Sequence, residues 1–238
     1  MKSQIHSIVQ VFAKMLILCT TTCVIIFGCN SSRESRTQVQ NYIDPLTDIQ
    51  ALLHHINTFE YAQIDNYEID SSIAVKKHRR KPSDSLALAH LKNAILNLYK
   101  ANGNYDSALR ALDHAEYHST RSENVFIRQL YAHYDYLARN STNLNNNILD
   151  SINVELKLGD RSQMLLSLNI LSNQIHVAED RHNVNSLHRY LNHYHRVAKQ
   201  LGDSIYLLQS FSQQLIRRFS FEPPQDLIEL IDSVDKYL

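Results

Sequence analysis

Cys29 is the residue whose sequence context most clearly predicts chemistry, namely acylation of its thiol. It directly follows Gly28 at the end of the apolar run Met15–Phe27, and two lysines lie before that run. A signal peptidase cuts after a small residue such as Gly28, and the thiol of Cys29 can then accept acyl chains as the new N-terminus. The run is shorter than the roughly 20 residues that a spanning helix needs. The sequence therefore predicts a signal peptide over residues 1–28 and a lipid-modified Cys29.

This arrangement resembles the export signal of bacterial lipoproteins. The resemblance implies a cell-envelope protein that is held at a membrane by its N-terminal lipid. Asn30 follows the cysteine, whereas an Asp at that position retains lipoproteins in the inner membrane of enteric bacteria, so the outer membrane is favoured. Residues 29–43 are polar and aperiodic, which is typical of a flexible tether between a lipid and a folded domain.

The thirteen histidines of the chain raise the question of a metal site. His114 and His118 are four residues apart and would share a helix face, from which two imidazoles can bind zinc. A zinc site needs a third ligand, Glu116 points elsewhere on such a helix, and the sequence contains no HExxH pattern. We therefore predict no metal site and no cofactor. Two further pairs lack this spacing and are expected on solvated faces: His54–His55 and His193/His195.

Catalysis and nucleic-acid binding are not expected. The sequence has no GxSxG motif, no glycine-rich phosphate loop and no Cys–His pair after the predicted cleavage site. Loss of the signal peptide leaves 22 Lys and Arg against 24 Asp and Glu, a balance that excludes a broad nucleic-acid surface. One basic run, residues 76–81, could contact an anionic membrane surface or could complement the C-terminal end of a helix.

The elements that would position these residues are predicted to be helices. Four Gly and four Pro in 238 residues leave few turn residues for a sheet. From Asp44 onward the apolar residues recur with helical spacing, and short connections should pair the helices as antiparallel hairpins. Ten helices are expected, separated by breaks near 57–60, 76–84, 102–104, 119–122, 140–143, 159–160, 180–182, 202–203 and 221–224.

The hairpin over residues 89–118 has a recognisable pattern. Ile95 and Tyr99 would form a buried stripe, Gly103 would permit a tight turn, and Ala108 and Ala115 would let the second helix approach closely. Together with Tyr105 and Leu112, these residues stand at the spacings of a tetratricopeptide (TPR) motif, whose period is 34 residues. This resemblance implies an all-α, TPR-like α-solenoid of about five antiparallel hairpins over residues 44–238.

The rest of this region follows the pattern less closely. Leu-Gly-Asp occurs at 158–160 and at 201–203, where Gly can end one helix and Asp can cap the next. This junction resembles that of the longer TPR-like repeats of bacterial regulators. Apolar residues within 49–73 are expected to form a first hairpin, and those within 208–234 a C-terminal cap.

The TPR register also predicts a binding groove on the concave face of the solenoid. In peptide-binding TPR domains an Asn of the first helix hydrogen-bonds the backbone of an extended peptide, so Asn97 and Asn173 are expected to act in this way. An amide suits the task because it donates and accepts at once. Arg128 between them could bind a carboxylate bidentately. The predicted groove comprises Asn93, Asn97, Lys100, Arg128, Asn169, Asn173 and His176.

These inferences predict a lipid-anchored, exported adaptor that binds a peptide or protein partner and is not an enzyme. Two alternatives stay open. One is the sensor component of a bacterial regulatory system, which would have to signal through a partner because it lacks its own effector. The other is an accessory factor in outer-membrane assembly, since a lipidated N-terminus before about five TPR hairpins is similar in plan to the TPR lipoprotein of the β-barrel assembly machine.

Overall fold

A computed structural model of the chain describes residues 45–69, 83–140, 143–154, 156 and 159–219. All regular secondary structure in these ranges is helical, which confirms the all-α class. The predicted signal peptide, Cys29, the predicted tether 29–43, the basic run 76–81 and the part of the predicted C-terminal cap beyond residue 219 lie outside the described residues. The helices are α1 Pro45–Asn57, α2 Tyr61–Ile64, α3 Asp84–Tyr99, α4 Tyr105–Ser119, α5 Val125–Asn140, α6 Asn146–Val154, α7 Arg161–Asp180, α8 Val184–Leu201 and α9 Ser204–Phe219.

Short polar side chains begin several of these helices, as the sequence suggests. Asn104 accepts a hydrogen bond from the backbone N–H of Ser107 at 2.9 Å, and Asp160 accepts one from Gln163 at 3.0 Å. Each bond satisfies a backbone donor that has no partner in the first turn of its helix. Gly202 ends α8 in the left-handed conformation, with φ at 72°. The two Leu-Gly-Asp segments thus supply the Asp cap of α7 and the Gly end of α8.

The α3–α4 pair is closely packed at the residues that carry the TPR-like pattern. Ile95, Ala108 and Ala115 are completely buried. Gly103 lies in the connecting turn, where an added Cβ would come within 2.4 Å of the carbonyl oxygen of Asn97. A residue without a Cβ is therefore needed there because the backbone of the turn folds back onto the end of α3.

Helix α1 departs from the predicted first hairpin. The helix that follows it, α2, has only four residues, and the segment after Ile64 is not helical up to residue 69. Instead of pairing with a long partner, α1 contacts both α3 and α7. Since α5 contacts α3 and α7 as well, these four helices form a ring of pairwise contacts. Each of the helices between them contacts the helix before it: α4 contacts α3, α6 contacts α5, and α8 contacts α7.

The α1-covered surface as a candidate functional site

The surfaces of α3 and α7 that contact α1, together with the adjoining side chains of α5, form the candidate site; we call them the α1-covered surface. The apolar side of α1 explains why the helix lies there. Ile49, Leu52, Leu53 and Ile56 recur at helical spacing and are at most 4% exposed. Burial of each such side chain favours the docked helix by about 1.5–3 kcal/mol. The hydrophobic effect is therefore the main force that holds α1 on its neighbours.

Polar contacts flank this apolar stripe near the start of α1. The ammonium group of Lys92 on α3 pairs with the carboxylate of Asp48, and both side chains are mostly buried, at 20% and 14% exposed. On the other side, the side-chain amide of Gln50 donates a 2.6 Å hydrogen bond to the hydroxyl of Ser162, the second residue of α7. These contacts fix the register of α1 between the two helices.

A buried hydrogen-bond network lies at the other end of α1. The Asn57 amide donates to the carbonyl oxygen of Leu165 at 2.9 Å, and the Asn169 amide donates to Oδ1 of Asn57 at 3.2 Å. Oδ1 of Asn169 also lies 2.8 Å from Nε2 of His133 and accepts a 3.3 Å hydrogen bond from the hydroxyl of Tyr134. The network therefore joins α1, α5 and α7 through side chains that water does not reach.

His133 is uncharged within this network. Because Oδ1 of Asn169 can only accept, Nε2 of His133 must carry the proton that forms the 2.8 Å hydrogen bond. Nδ1 is buried and has no hydrogen-bond partner. Burial lowers the pKa of His133 to about 4, and the hydrogen bond to Asn169 counteracts this only in part. A second proton on this ring would place a charge where neither water nor an anion can stabilise it.

The asparagines of the predicted groove are bonded within the chain. Asn93, Asn97 and Asn169 are buried. The amide of Asn97 donates to the Asn93 carbonyl at 2.8 Å, and its oxygen accepts from the backbone N–H of Asn104 at 3.3 Å. Asn173 repeats the first contact by donating to the Asn169 carbonyl at 3.0 Å. The shared four-residue spacing thus produces the same contact on α3 and on α7, and peptide binding by these amides stays a prediction.

The remaining predicted groove residues differ in their exposure. Arg128 donates to the carbonyl of Ser122 at 2.6 Å, and Lys100 donates to the carbonyls of Asp65 and Tyr67 beyond α2. His176 is the most open of the set, with a side chain 64% exposed. Its ring lies 3.6 Å from the carboxylate of Asp180 on the next turn. The predicted groove residues therefore range from buried to largely exposed.

Sequence reasoning overlooked Asn57 and His133, which complete the buried network. A signal for Asn57 is present, because it lies four residues after Leu53 and therefore on the buried stripe of α1. A polar residue on such a stripe requires a buried partner. His133 lies one residue before Tyr134, and both are buried on α5. Its partner Asn169 is 36 residues away, so local spacing could not reveal the contact.

Two of the four histidines expected on solvated faces, His54 and His195, contact another helix. His54 lies 2.6 Å from the hydroxyl of Tyr206 on α9, and His195 lies 3.0 Å from the hydroxyl of Ser210. His118 is completely buried, and its Nδ1 accepts from the backbone N–H of Ser83. One group of described residues has metal-ligand geometry: His54, His55 and Glu60, whose ligand atoms lie within 4.8 Å of one another.

Helices of the length and hydrophobicity needed to cross a bilayer are absent from the part of the chain that the structure describes. Comparison with protein-family models, with curated proteins and with solved structures finds no match to this chain. The functional argument therefore rests on the residues and contacts described above.

Proposed function

We propose that this chain is a lipid-anchored, exported adaptor of the cell envelope, with a TPR-like arrangement of helices, that binds a peptide or protein partner. The observation that carries the proposal is the position of α1. The α1-covered surface accepts an amphipathic helix, with an apolar centre and polar contacts at the edges. Many adaptors bind a partner in this way, by receiving one face of a helix in a groove between other helices.

The partner helix that suits this surface resembles α1 in chemistry. It presents four aliphatic side chains at the spacing of Ile49, Leu52, Leu53 and Ile56. An acidic residue one position before the first of these would meet Lys92, as Asp48 does. A side-chain amide one position after the last would meet Leu165 and Asn169, as Asn57 does. The partner therefore binds to the α1-covered surface in place of α1.

Competition with α1 would make this binding regulated. A helix in the same chain acts at an effective concentration that reaches the millimolar range. The partner binds only the fraction of molecules in which α1 is undocked, so its apparent affinity falls by that fraction. Weakening the contacts of α1 should therefore strengthen partner binding, whereas fixing α1 in place should abolish it.

A crosslinking experiment in the full chain tests this directly. Gln50 and Ser162 are replaced by cysteines and joined with a short bismaleimide, since their side chains are 2.6 Å apart across the α1–α7 contact. The purified chain is incubated with solubilised envelope of the source organism, and the proteins that bind to it are quantified by mass spectrometry. The crosslinked chain is compared with the same double-cysteine chain whose two thiols are capped separately. We expect the partner to be recovered with the capped chain and to be lost with the crosslinked chain.

The matched control crosslinks Asp113 to Arg139, which are 2.7 Å apart and join α4 to α5 rather than α1 to α7. This link should leave recovery of the partner unchanged. Equal recovery with the Gln50–Ser162 link present would disprove binding at the α1-covered surface. Peptide mass mapping verifies each link, because Cys19, Cys23 and Cys29 are also present in the sequence.

A further inference from the structure

The C-terminal end of α1 turns back sharply and brings a carboxylate beside two imidazoles. The backbone N–H of Glu60 donates to the carbonyl of His55 at 2.8 Å, and that of Phe59 donates to Ile56 at 3.2 Å. These two bonds form the Schellman motif, which places Phe59 in the left-handed region with φ at 60°. As a result, Oε2 of Glu60 lies 2.9 Å from Nδ1 of His55.

His54 completes this group from the neighbouring position of the same turn. The rings of His54 and His55 have centroids 5.6 Å apart and meet edge to face. The hydroxyl of Tyr206 on α9 lies 2.6 Å from Nδ1 of His54 and meets its ring edge to face as well. Contacts of this type orient the imidazoles of metal sites, since a partner on one ring nitrogen sets the ring plane and the tautomer.

We infer that His54, His55 and Glu60 form a zinc-binding site at the end of α1. The three ligand atoms lie within 4.8 Å of one another. A shift of side-chain torsions would bring each of them to about 2 Å from a zinc ion placed between them, which is the usual distance from zinc to nitrogen and oxygen ligands. Two His and one Glu form an established zinc donor set, and imidazole favours zinc, copper and nickel over magnesium or calcium. Three protein ligands leave a fourth position for water.

The electrostatic surroundings suit a divalent cation. The carboxylates of Glu60 and Asp203 favour positive charge at His54, whereas the guanidinium of Arg161 opposes it. The carboxylate of Glu60 supplies the negative charge that partly compensates the ion.

The site is also accessible. The side chains of His55 and Glu60 are 20% and 39% exposed, so an ion can enter from solvent without unfolding α1. Bound zinc would join the last turn of α1 to the turn that follows it, and through Tyr206 it would strengthen the contact with α9. This inference does not depend on the proposed adaptor function, because it concerns only the end of α1.

Calorimetric titration of the full chain tests the inference. The chain is purified in detergent without a polyhistidine tag, treated with a chelator and titrated with zinc chloride. We expect one zinc per chain at high affinity. Glu60→Gln and His55→Gln should each weaken this binding at least tenfold, whereas His182→Gln, an exposed histidine at the end of α7, should leave it unchanged. Cobalt should give the intense visible absorption of a tetrahedral site in the wild type and in His182→Gln, but not in the other two variants.

Each outcome of the titration either supports or overturns the zinc site. Loss of high-affinity binding in Glu60→Gln, with an unaltered circular dichroism spectrum, supports the site, because Glu60 lies at the surface and its substitution does not disturb the core. Absence of high-affinity zinc binding in the wild type would overturn the inference and leave His55 and Glu60 as a hydrogen-bonded pair. The same follows if all three variants bind zinc equally, since the ion would then lie among other histidines.

Discussion

Asn169 donates a 3.2 Å hydrogen bond to Asn57, a residue 112 positions earlier in the sequence. Both side chains are buried, at 3% and 2% exposed. Neither amide could lie in an apolar interior alone, because an unpaired buried donor or acceptor costs about 1–3 kcal/mol. The contact therefore ties the position of α1 to that of α7, and α1 docks in one register only.

Substitution of Asn57 by Ala is expected to lower the free energy of unfolding by about 1–3 kcal/mol, because it leaves the Leu165 carbonyl and the Asn169 amide without their bonds. Urea denaturation followed by circular dichroism measures the change. Asn192→Ala serves as the control, since Asn192 is exposed on α8 and its change should stay within about 0.5 kcal/mol. Equal effects of the two substitutions would contradict the role of the network.

The buried His133 should make stability depend on pH. Its folded-state pKa of about 4 lies below the 6.5 of an ordinary imidazole. Between these values the unfolded chain binds a proton that the folded chain excludes. The free energy of unfolding therefore decreases as pH falls from 6.5 towards 4, by on the order of 3 kcal/mol from this residue.

Denaturation at a series of pH values checks this expectation. His133→Gln should flatten the curve between pH 6.5 and 4, since the amide cannot take up a proton. His182→Gln, an exposed substitution, should leave the slope unchanged. The same slope in His133→Gln and wild type would show that other groups cause the acid sensitivity.

Gly103 is expected to tolerate no side chain. Its Cβ would approach the Asn97 carbonyl oxygen to 2.4 Å, so Gly103→Ala must displace the α3–α4 turn. We expect a loss of about 1–3 kcal/mol in the free energy of unfolding, the range found for overpacking. Gly159 has no atom within 4 Å of the corresponding position. Thermal melting of Gly159→Ala should therefore give a Tm at or above that of the wild type.

The predicted groove asparagines can be tested once a partner is known. Asn97→Ala together with Asn173→Ala should weaken binding at least tenfold, which is about 1.4 kcal/mol. Asn97 also accepts a bond from Asn104 at the start of α4, so the double variant should be less stable as well. Asn173→Ala alone separates the loss of affinity from the loss of stability, because Asn173 is partly exposed. Unchanged affinity in both variants would show that these two amides do not bind the partner.

Membrane attachment depends on Cys29 in the proposed function. Cys29→Ala removes the thiol that would accept acyl chains, so the variant should leave the membrane fraction or remain uncleaved. Fractionation of cells and mass spectrometry of the N-terminus measure both outcomes. A variant that is cleaved and sediments with membranes as the wild type does would show that another interaction holds the chain there.

The sequence by itself determined the helical class and many of the helix ends. Local causes account for this: the apolar periodicity of 3.6 residues, capping residues such as Asn104 and Asp160, and glycines such as Gly202 all act within one or two turns. The close α3–α4 pair was predictable for the same reason, since its small residues lie within a single hairpin.

Only the tertiary structure decided where α1 lies and which polar groups are buried with it. The stripe of Ile49, Leu52, Leu53 and Ile56 requires an apolar neighbour, but hydrophobic burial has no direction and does not select one. That choice depends on Asp48 meeting Lys92 and on Asn57 meeting Asn169, contacts between residues 44 and 112 positions apart. The same long-range packing buried Asn169 and brought His54 against Tyr206, because complementary shape and hydrogen bonding exist only once the helices are assembled.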